Sequence, residues 1–323
     1  MRRLITFGEP PTAPLPDDLS AKPDWVQANP KQIDRALARA LARPAGGWYA
    51  VDDRRAIGPR PRAYTIAGEE LILWRTPRGR LRAAPEACPH MGASLACAAT
   101  RGDNVVCPWH GLELGERPRG TWRERQTRDD GVLAWVRLDD GEAASDAPIL
   151  APRPDAFLSG VIRMEARCEP ADILANRLDP WHGAHYHPHS FARLKVLDDD
   201  GDVLTVRVAY RVAGPLAVEV DATFHCPDKR TIVMTIVGGE GVGSVVETHA
   251  TPIGPGRCAV LEATLATSER RGFAVARRLA PLLRPMINRR AARLWVEDVE
   301  YAERRYAQRR HEPVRLSIAR DGD

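Results

Sequence analysis

Cys88-Pro89-His90 and Cys107-Pro108-Trp109-His110 decide how the first half of this chain is read. Each stretch offers one thiol and one imidazole, as Cys-x-His and Cys-x-x-His, and sixteen residues separate His90 from Cys107. Two Cys and two His suit a [2Fe–2S] centre in which the thiolates hold one iron and the imidazoles the other. The same donors suit tetrahedral zinc, although zinc sites usually space paired ligands about two to four residues apart, and the gap between Cys88 and His90 is shorter. Pro89 and Pro108 stiffen the two loops, and Gly92 and Gly111 allow the sharp turns that follow.

Around these loops the pattern is short strands and turns. Trp48–Asp52, Ala63–Ile66, Glu70–Arg75, Leu81–Ala84, Asn104–Val106 and Leu133–Leu138 are strand candidates. Gly58-Pro59, Ala67-Gly68, Pro77 to Gly79 and Asp129 to Gly131 separate them. An antiparallel sandwich with the Cys/His loops at one end is the expected architecture. From Trp48-Tyr49 to about Leu138, with CPHMGASL and GDNVVCPWHG at its core, the chain resembles the Rieske iron–sulfur proteins. The resemblance makes Cys88, His90, Cys107 and His110 the cluster ligands. Some members carry an extra Cys in each loop, joined as a disulfide; Ala93 and Trp109 stand near those places here. Leu112 stands where high-potential members tend to have a hydroxyl. The likeness is therefore to the low-potential, oxygenase-type branch, with one departure: Gly111-Leu112-Glu113-Leu114 lacks the aromatic that oxygenases often carry after the glycine.

The second informative stretch is Asn176-Arg-Leu-Asp-Pro-Trp-His-Gly-Ala-His-Tyr-His-Pro-His189, which holds four of the nine histidines. Clustered imidazoles with a carboxylate suit non-haem iron, where two His and one carboxylate leave positions open. On a regular helix, residues three apart point about 60° apart and residues five apart about 140° apart. His182 with His185 is thus the easier pair, and His182 with His187 needs a break, which Gly183 permits and Pro188 enforces. Asp179 before Pro180 also reads as a helix N-cap. Here the chain resembles the Rieske non-haem iron oxygenases, whose motif Asn-x-x-Asp-x-x-His-x-x-x-x-His falls on Asn176, Asp179, His182 and His187. The resemblance implies iron ligation by His182 and His187. It implies an Asp179 that hydrogen-bonds a ligating His and bridges to a cluster His, with Asn176 behind the ligands and His189 further out. The third ligand is a carboxylate on a late helix. Leu294-Trp-Val-Glu-Asp-Val-Glu-Tyr-Ala-Glu303 is the matching stretch, and Asp298 is the choice over Glu297, Glu300 and Glu303.

The resemblance further implies a terminal oxygenase with a [2Fe–2S] cluster and Fe(II), activating O₂ to hydroxylate, demethylate or desaturate an apolar aromatic, steroid or carotenoid-like substrate. A head-to-tail homotrimer is expected, with electrons passing between subunits. No glycine-rich nucleotide fingerprint follows a strand, so a separate NAD(P)H-dependent reductase, and a ferredoxin with it, complete the set of partners. Two other readings stay open: an electron-transfer protein without catalysis, and a zinc-stabilised binding protein.

The remaining chain bounds these readings. At 323 residues and 44% apolar, with no run near 18 apolar residues, a real core and no spanning helix are expected. The net charge of +4 argues no nucleic-acid role. Cys97, Cys168, Cys226 and Cys258 read as free buried thiols, which fits a cytoplasmic protein. Residues 1–46 read as a Pro-rich docking arm (Pro10, Pro11, Pro14, Pro16, Pro23, Pro30) ending in a helix over 31–42, with Ile33, Leu37 and Leu41 inward. Residues 47–150 form the cluster domain and 151–323 the iron domain. The latter is an α+β unit of five strands, Val203–Val212, Ala217–Phe224, Thr231–Val237, Ser244–Pro252 and Arg257–Thr267. Its sheet is backed by C-terminal helices in a helix-grip, START-like arrangement. Pro281 and Pro285 are expected to break or kink the helical tail before a last helix over 291–310. Its arginines, Arg289, Arg290, Arg304, Arg305, Arg309 and Arg310, read as a docking face for an acidic partner or as a solvated helix face.

Overall fold

The structure, a computed structural model, describes residues 5–11, 28–199 and 201–310. Pro14, Pro16 and Pro23 of the expected arm lie outside the described residues, as do residues 311–323. β1 (Ile5–Thr6) lies parallel to Leu216 and Ala217. The first helix, α1 (Pro30–Leu41), opens on Asn29, whose Oδ1 accepts from Lys31 N at 3.1 Å. Leu37 and Ala40 are its buried residues, and Leu41, expected inward, is exposed. Steps of four residues turn 40° beyond a full circle each time, so the second step, to Leu41, carries the side chain off the inner face.

The cluster domain contains β2 (Trp48–Asp53), β3 (Arg62–Ile66), β4 (Glu69–Arg75), β5 (Leu81–Pro85), β6 (Ala99–Arg101), β7 (Asn104–Val106), β8 (Glu113–Leu114), β9 (Gln126–Asp129) and β10 (Leu133–Arg137). They form three antiparallel three-stranded sheets, β2-β10-β9, β3-β4-β5 and β6-β7-β8. β6, β8 and β9 are short and largely polar, so no alternation marked them in the sequence.

The second half opens with β11 (Leu158–Ala166), α2 (Pro170–Arg177), α3 (Trp181–Tyr186) and β12 (Phe191–Asp199). There follow β13 (Val203–Ala213), β14 (Leu216–Asp228), β15 (Thr231–Gly239), β16 (Val245–Gly254) and β17 (Arg257–Ala266). Where five strands were expected, the sheet holds eight, in the order β11-β17-β16-β15-β14-β13-β12 with β1 beside β14. The last two helices are α4 (Phe273–Arg278) and α5 (Ala280–Arg309). The inward face of β14 alternates as Val220, Ala222, Phe224 and Cys226, against Ile173 and Leu174 of α2 and Trp295 and Ala302 of α5. Arg207 and Asp221, paired across β13 and β14 at 2.7 and 2.8 Å, lie on the opposite face.

The helical tail corrects two expectations. It breaks at Leu279, ahead of both prolines, and α5 then runs through Pro285. Pro281 falls in the first turn, where a missing N–H is tolerated, and Pro285 removes a single bond one turn later. Arg305 and Arg309 do not form a free docking face. They clamp Asp172, which is fully buried, at 2.6 and 2.8 Å, and Arg290 donates to the Val212 carbonyl. Among the other cysteines, Cys168, Cys226 and Cys258 are buried free thiols, whereas Cys97 is exposed, in a left-handed turn at φ +61°.

The two halves share one hydrophobic cluster, with Trp48 and Trp135 packed against Val161, Val233 and Leu261. Polar contacts close its rim. Arg153 spans Glu247 (2.7 Å) and Asp130 (2.9 Å), and Glu142 takes the N–H groups of Ala45 and Gly47 together with Lys229 and Arg230. Burial pushes the Glu247 carboxyl upward, but Arg153 and His249 outweigh it and hold the pKa at about 2. Glu142, opposed by burial but held chiefly by Lys229, also sits at about 2. A folded pKa below the ordinary value of 4.5 gives stability that is present above pH 4.5 and lost as pH falls toward 2. Urea midpoints should fall as pH drops below 4.5, with Glu247 accounting for about 2–3 kcal/mol of that fall. Glu247→Gln should flatten that acid limb, and an unchanged limb would show that the junction does not govern acid stability.

Candidate iron–sulfur and metal centres

The Cys/His loops close by identical turns. Gly92 N–H donates to Cys88 O at 2.9 Å and Gly111 N–H to Cys107 O at 3.0 Å; Cys88 N–H donates to Ala93 O and Cys107 N–H to Leu112 O. Both glycines are left-handed, at φ +73° and +69°, where a Cβ would be strained. The one-residue difference in Cys–His spacing is absorbed inside loops of equal length. The His90 and His110 rings meet edge-on, 4.9 Å between centroids, while the two cysteines lie buried together. Burial pushes the Cys88 thiol up. At Cys107 burial is outweighed by the N–H groups of Trp109 and His110, which hold the thiol down. The chain thus offers two adjacent thiols and two adjacent imidazoles, a donor set matched to a two-iron cluster.

In the second half, α3 ends at Tyr186 and His187 leaves the helix at φ −117°, ψ 54°. Pro188 disfavours the helical region for the residue before it, and this release swings the His187 ring back toward His182, 5.2 Å between centroids. His185 is exposed and outside this cluster. Asp298 of α5 meets both rings through one oxygen: Oδ1 lies 3.0 Å from His182 Nε2 and 2.9 Å from His187 Nε2. Among the described residues, these three make the one His/Cys/Asp/Glu group whose ligand atoms all lie within 4.8 Å of one another.

The surroundings fix which ring atoms face inward. His182 Nδ1 is bonded to the main-chain oxygen of Asp179, and His187 Nδ1 to the carboxylate of Glu297. Both Nδ1 atoms are thereby occupied, and both Nε2 atoms are turned toward the Asp298 oxygen. Three acceptors converging at about 3 Å repel one another unless a proton or cation lies between them. In the absence of a cation a proton at each Nε2 fills that role, and, against burial, the histidine N–H groups hold the Asp298 carboxyl well below the usual range. Asn176, fully buried, donates from Nδ2 to Asp298 Oδ1 at 3.0 Å, and its own Oδ1 is buried without a partner. This geometry fits a divalent metal held by two neutral imidazoles and a carboxylate.

Other placements refine the sequence reading. Asp179 stands one residue before the N-cap of α3, which is Pro180. Its main-chain oxygen, not its carboxylate, contacts His182; the carboxylate is 4.0 Å from His182 Nδ1, accepts from Tyr301 OH at 3.2 Å, and keeps one oxygen buried and unpaired. Burial pushes the Asp179 carboxyl up. His189 lies 3.9 Å from Glu297. Two residues escaped the sequence reading as contributors: Glu297, weighed only as a competing ligand, and Tyr301, which stacks on His182 at 4.9 Å. Glu297→Gln should weaken metal binding about 10-fold while leaving the cluster absorbance unchanged; equal metal affinity in a chelator competition would remove Glu297 from this role.

The three ligand-type side chains line a small cavity of about 40 Å³, walled by Leu194, Val206, Val208, Phe224, Met234 and Leu294. Phe224 also lines a larger cavity of about 360 Å³ between α1, α3 and the turn from β12 to β13. His182, His187 and Asp298 line the smaller cavity and not the larger one.

Residues 47–130 match the Rieske [2Fe-2S] domain. The vanillate O-demethylase oxygenase subunit of Pseudomonas sp. (strain HR199 / DSM 7063) is 27% identical over 196 residues, covering 53% of this chain and 55% of that protein. The 3-ketosteroid-9-alpha-monooxygenase oxygenase component of Rhodococcus rhodochrous is 30% identical over 26% of this chain and 22% of its own length. The chain spans about half the length, or less, of these curated relatives. The crystal structure of dicamba monooxygenase bound to dicamba shares the fold, with a TM-score of 0.62 and 19% identity over 84% of this chain and 92% of that one. The chain shares with that oxygenase an all-β Rieske domain followed by an antiparallel sheet and C-terminal helices. Through residues 139–313 it belongs to the family described as "Domain of unknown function (DUF5914)".

Proposed function

We propose that this chain is the terminal oxygenase of a multicomponent system and oxidises an organic substrate with an apolar body. The observation that carries the reading is the convergence of His182, His187 and Asp298 at the wall of an apolar cavity, in a chain that also has a Rieske domain. When bound, the cluster supplies single electrons and the ferrous ion supplies dioxygen activation. The chain's own residues do the rest. Glu297 and the Asp179 carbonyl orient the two imidazoles. Asn176 Nδ2 donates to the carboxylate between them, and the aliphatic wall excludes water.

The rims of the cluster loops support assembly. Met91 and Trp109 are 67% and 62% exposed beside His90 and His110, an apolar tip suited to burial against a second copy or an electron donor. A head-to-tail trimer, with Asp179 at the subunit junction, is the arrangement we propose; a fully active monomer by light scattering would end it. A separate reductase, with or without a ferredoxin, and a cytoplasmic setting belong to the same proposal. No described helix is long and apolar enough to cross a membrane. The electron-carrier alternative leaves the three-donor group without a role. Oxygen uptake with a surrogate reductase, run against lipophilic aromatics, steroids and terpenoids, tests the reading. Substrate-dependent uptake coupled to product is expected, and uptake that no substrate stimulates would count against it.

A further inference from the structure

One cation in the metal-side cavity has no carboxylate within ion-pair distance among the described residues, although Glu262 and Asp298 lie near enough to feel its charge. Arg177 follows Asn176 on α2 and lines the same cavity as His182, His187 and Asp298. Its guanidinium lies over the rings of Phe224 (5.6 Å) and Trp295 (5.9 Å), and its Nε is buried without a hydrogen-bond partner. Against burial, its charge draws both nearby carboxylates down, but their hydrogen bonds go to other groups. Asp298 Oδ1 is taken by His182, His187 and Asn176. Glu262, 5% exposed, accepts from Trp295 Nε1 at 2.6 Å, and burial pushes its carboxyl up toward the neutral form. Loading a divalent cation onto the three ligands adds more positive charge to this enclosed space. A half-buried guanidinium whose Nε is out of water without a hydrogen-bond partner carries a cost that a bound acceptor would remove. The two aromatic faces fix its plane and leave its N–H edge for a planar acceptor.

We propose that Arg177 is the recognition residue for an anionic group on the substrate, so that the substrate is an organic acid: a carboxylate at Arg177 and an apolar body along Leu194, Val206, Val208 and Met234. This rests on the oxygenase reading and narrows it, since neutral terpenoids and steroids would leave Arg177 unpaired. The carboxylate end is held on α2 beside the metal ligands and Phe224, which leaves the aliphatic wall for the apolar body.

The test is isothermal titration of the full-length holoprotein at pH 7.5 with two matched pairs, 4-phenylbutyrate against its amide and decanoate against its amide. Wild type should bind at least one acid about 10-fold more tightly than its amide, which corresponds to about 1.4 kcal/mol. Arg177→Gln should bind acid and amide alike, and Arg177→Lys should recover part of the preference, which a purely structural role for Arg177 would not produce. Wild type that treats both pairs alike, or binds neither acid, or an Arg177→Gln protein of native circular dichroism that keeps the preference, overturns the proposal. Iron content of the same preparations separates the two readings. Missing mononuclear iron with the acid preference intact overturns the oxygenase reading, whereas full iron without the preference overturns only the role of Arg177.

Discussion

Asp298→Ala protein is expected to lose its mononuclear iron and its turnover while keeping the visible absorbance of the cluster. Asp298 is 2% exposed and contributes the one oxygen that both His182 Nε2 and His187 Nε2 face. Removing an outer partner of a metal ligand commonly costs about 10–100-fold in affinity, so removing a ligand should cost more than about 100-fold. Alanine also relieves a buried charge, so the fold should tolerate the change better than it tolerates loss of a paired partner. The cluster ligands belong to the other domain and should be unaffected. Iron analysis and oxygen uptake on the variant check both parts, and full mononuclear iron with full turnover would remove Asp298 from the site.

The second large effect is expected far from the metal. Asp172 is fully buried at the start of α2, where it accepts from Arg305 and Arg309 of α5 and from the Glu169 N–H at 3.2 Å. It therefore caps one helix and bolts it to another. Breaking a buried pair costs about 3–5 kcal/mol; because Arg305 and Arg309 can reach water, Asp172→Asn should cost about 2–4 kcal/mol. Asn176 lies one turn along α2 and Asp298 two turns back along α5, so the same change should loosen their 3.0 Å contact and lower iron occupancy. Denaturant melts and iron content check this, and a variant as stable as wild type would show the clamp to be incidental.

The sequence carried the chemistry further than the architecture. Cys88, His90, Cys107 and His110 were legible because ligation needs particular atoms at short spacing, and that spacing survives as text. The choice of His187 over His185 came from the family motif, since helix periodicity favours His185; the structure brings the His187 ring to His182 by ending α3 one residue earlier. Strands β11 and β12 were missed. β11 is buried without alternation along Leu158–Ile162, and β12 begins within five residues of the histidine cluster, whose reading as a metal site hid its start. Glu297 and the Arg305–Asp172–Arg309 clamp were illegible for a different reason. A charged residue on a late helix looks the same in a sequence whether it faces water or a partner more than a hundred residues away. Arg177 is the same case inside the cavity.

The most direct measurement is the ratio of iron to acid-labile sulfide in anaerobically purified protein. One two-iron, two-sulfide cluster plus one mononuclear iron gives about three irons to two sulfides, a ratio of about 1.5. His182→Ala, His187→Ala and Asp298→Ala should each bring it to about 1 with the cluster spectrum intact. A wild-type ratio of about 1 in protein supplied with ferrous iron, or a colourless protein, would contradict the account.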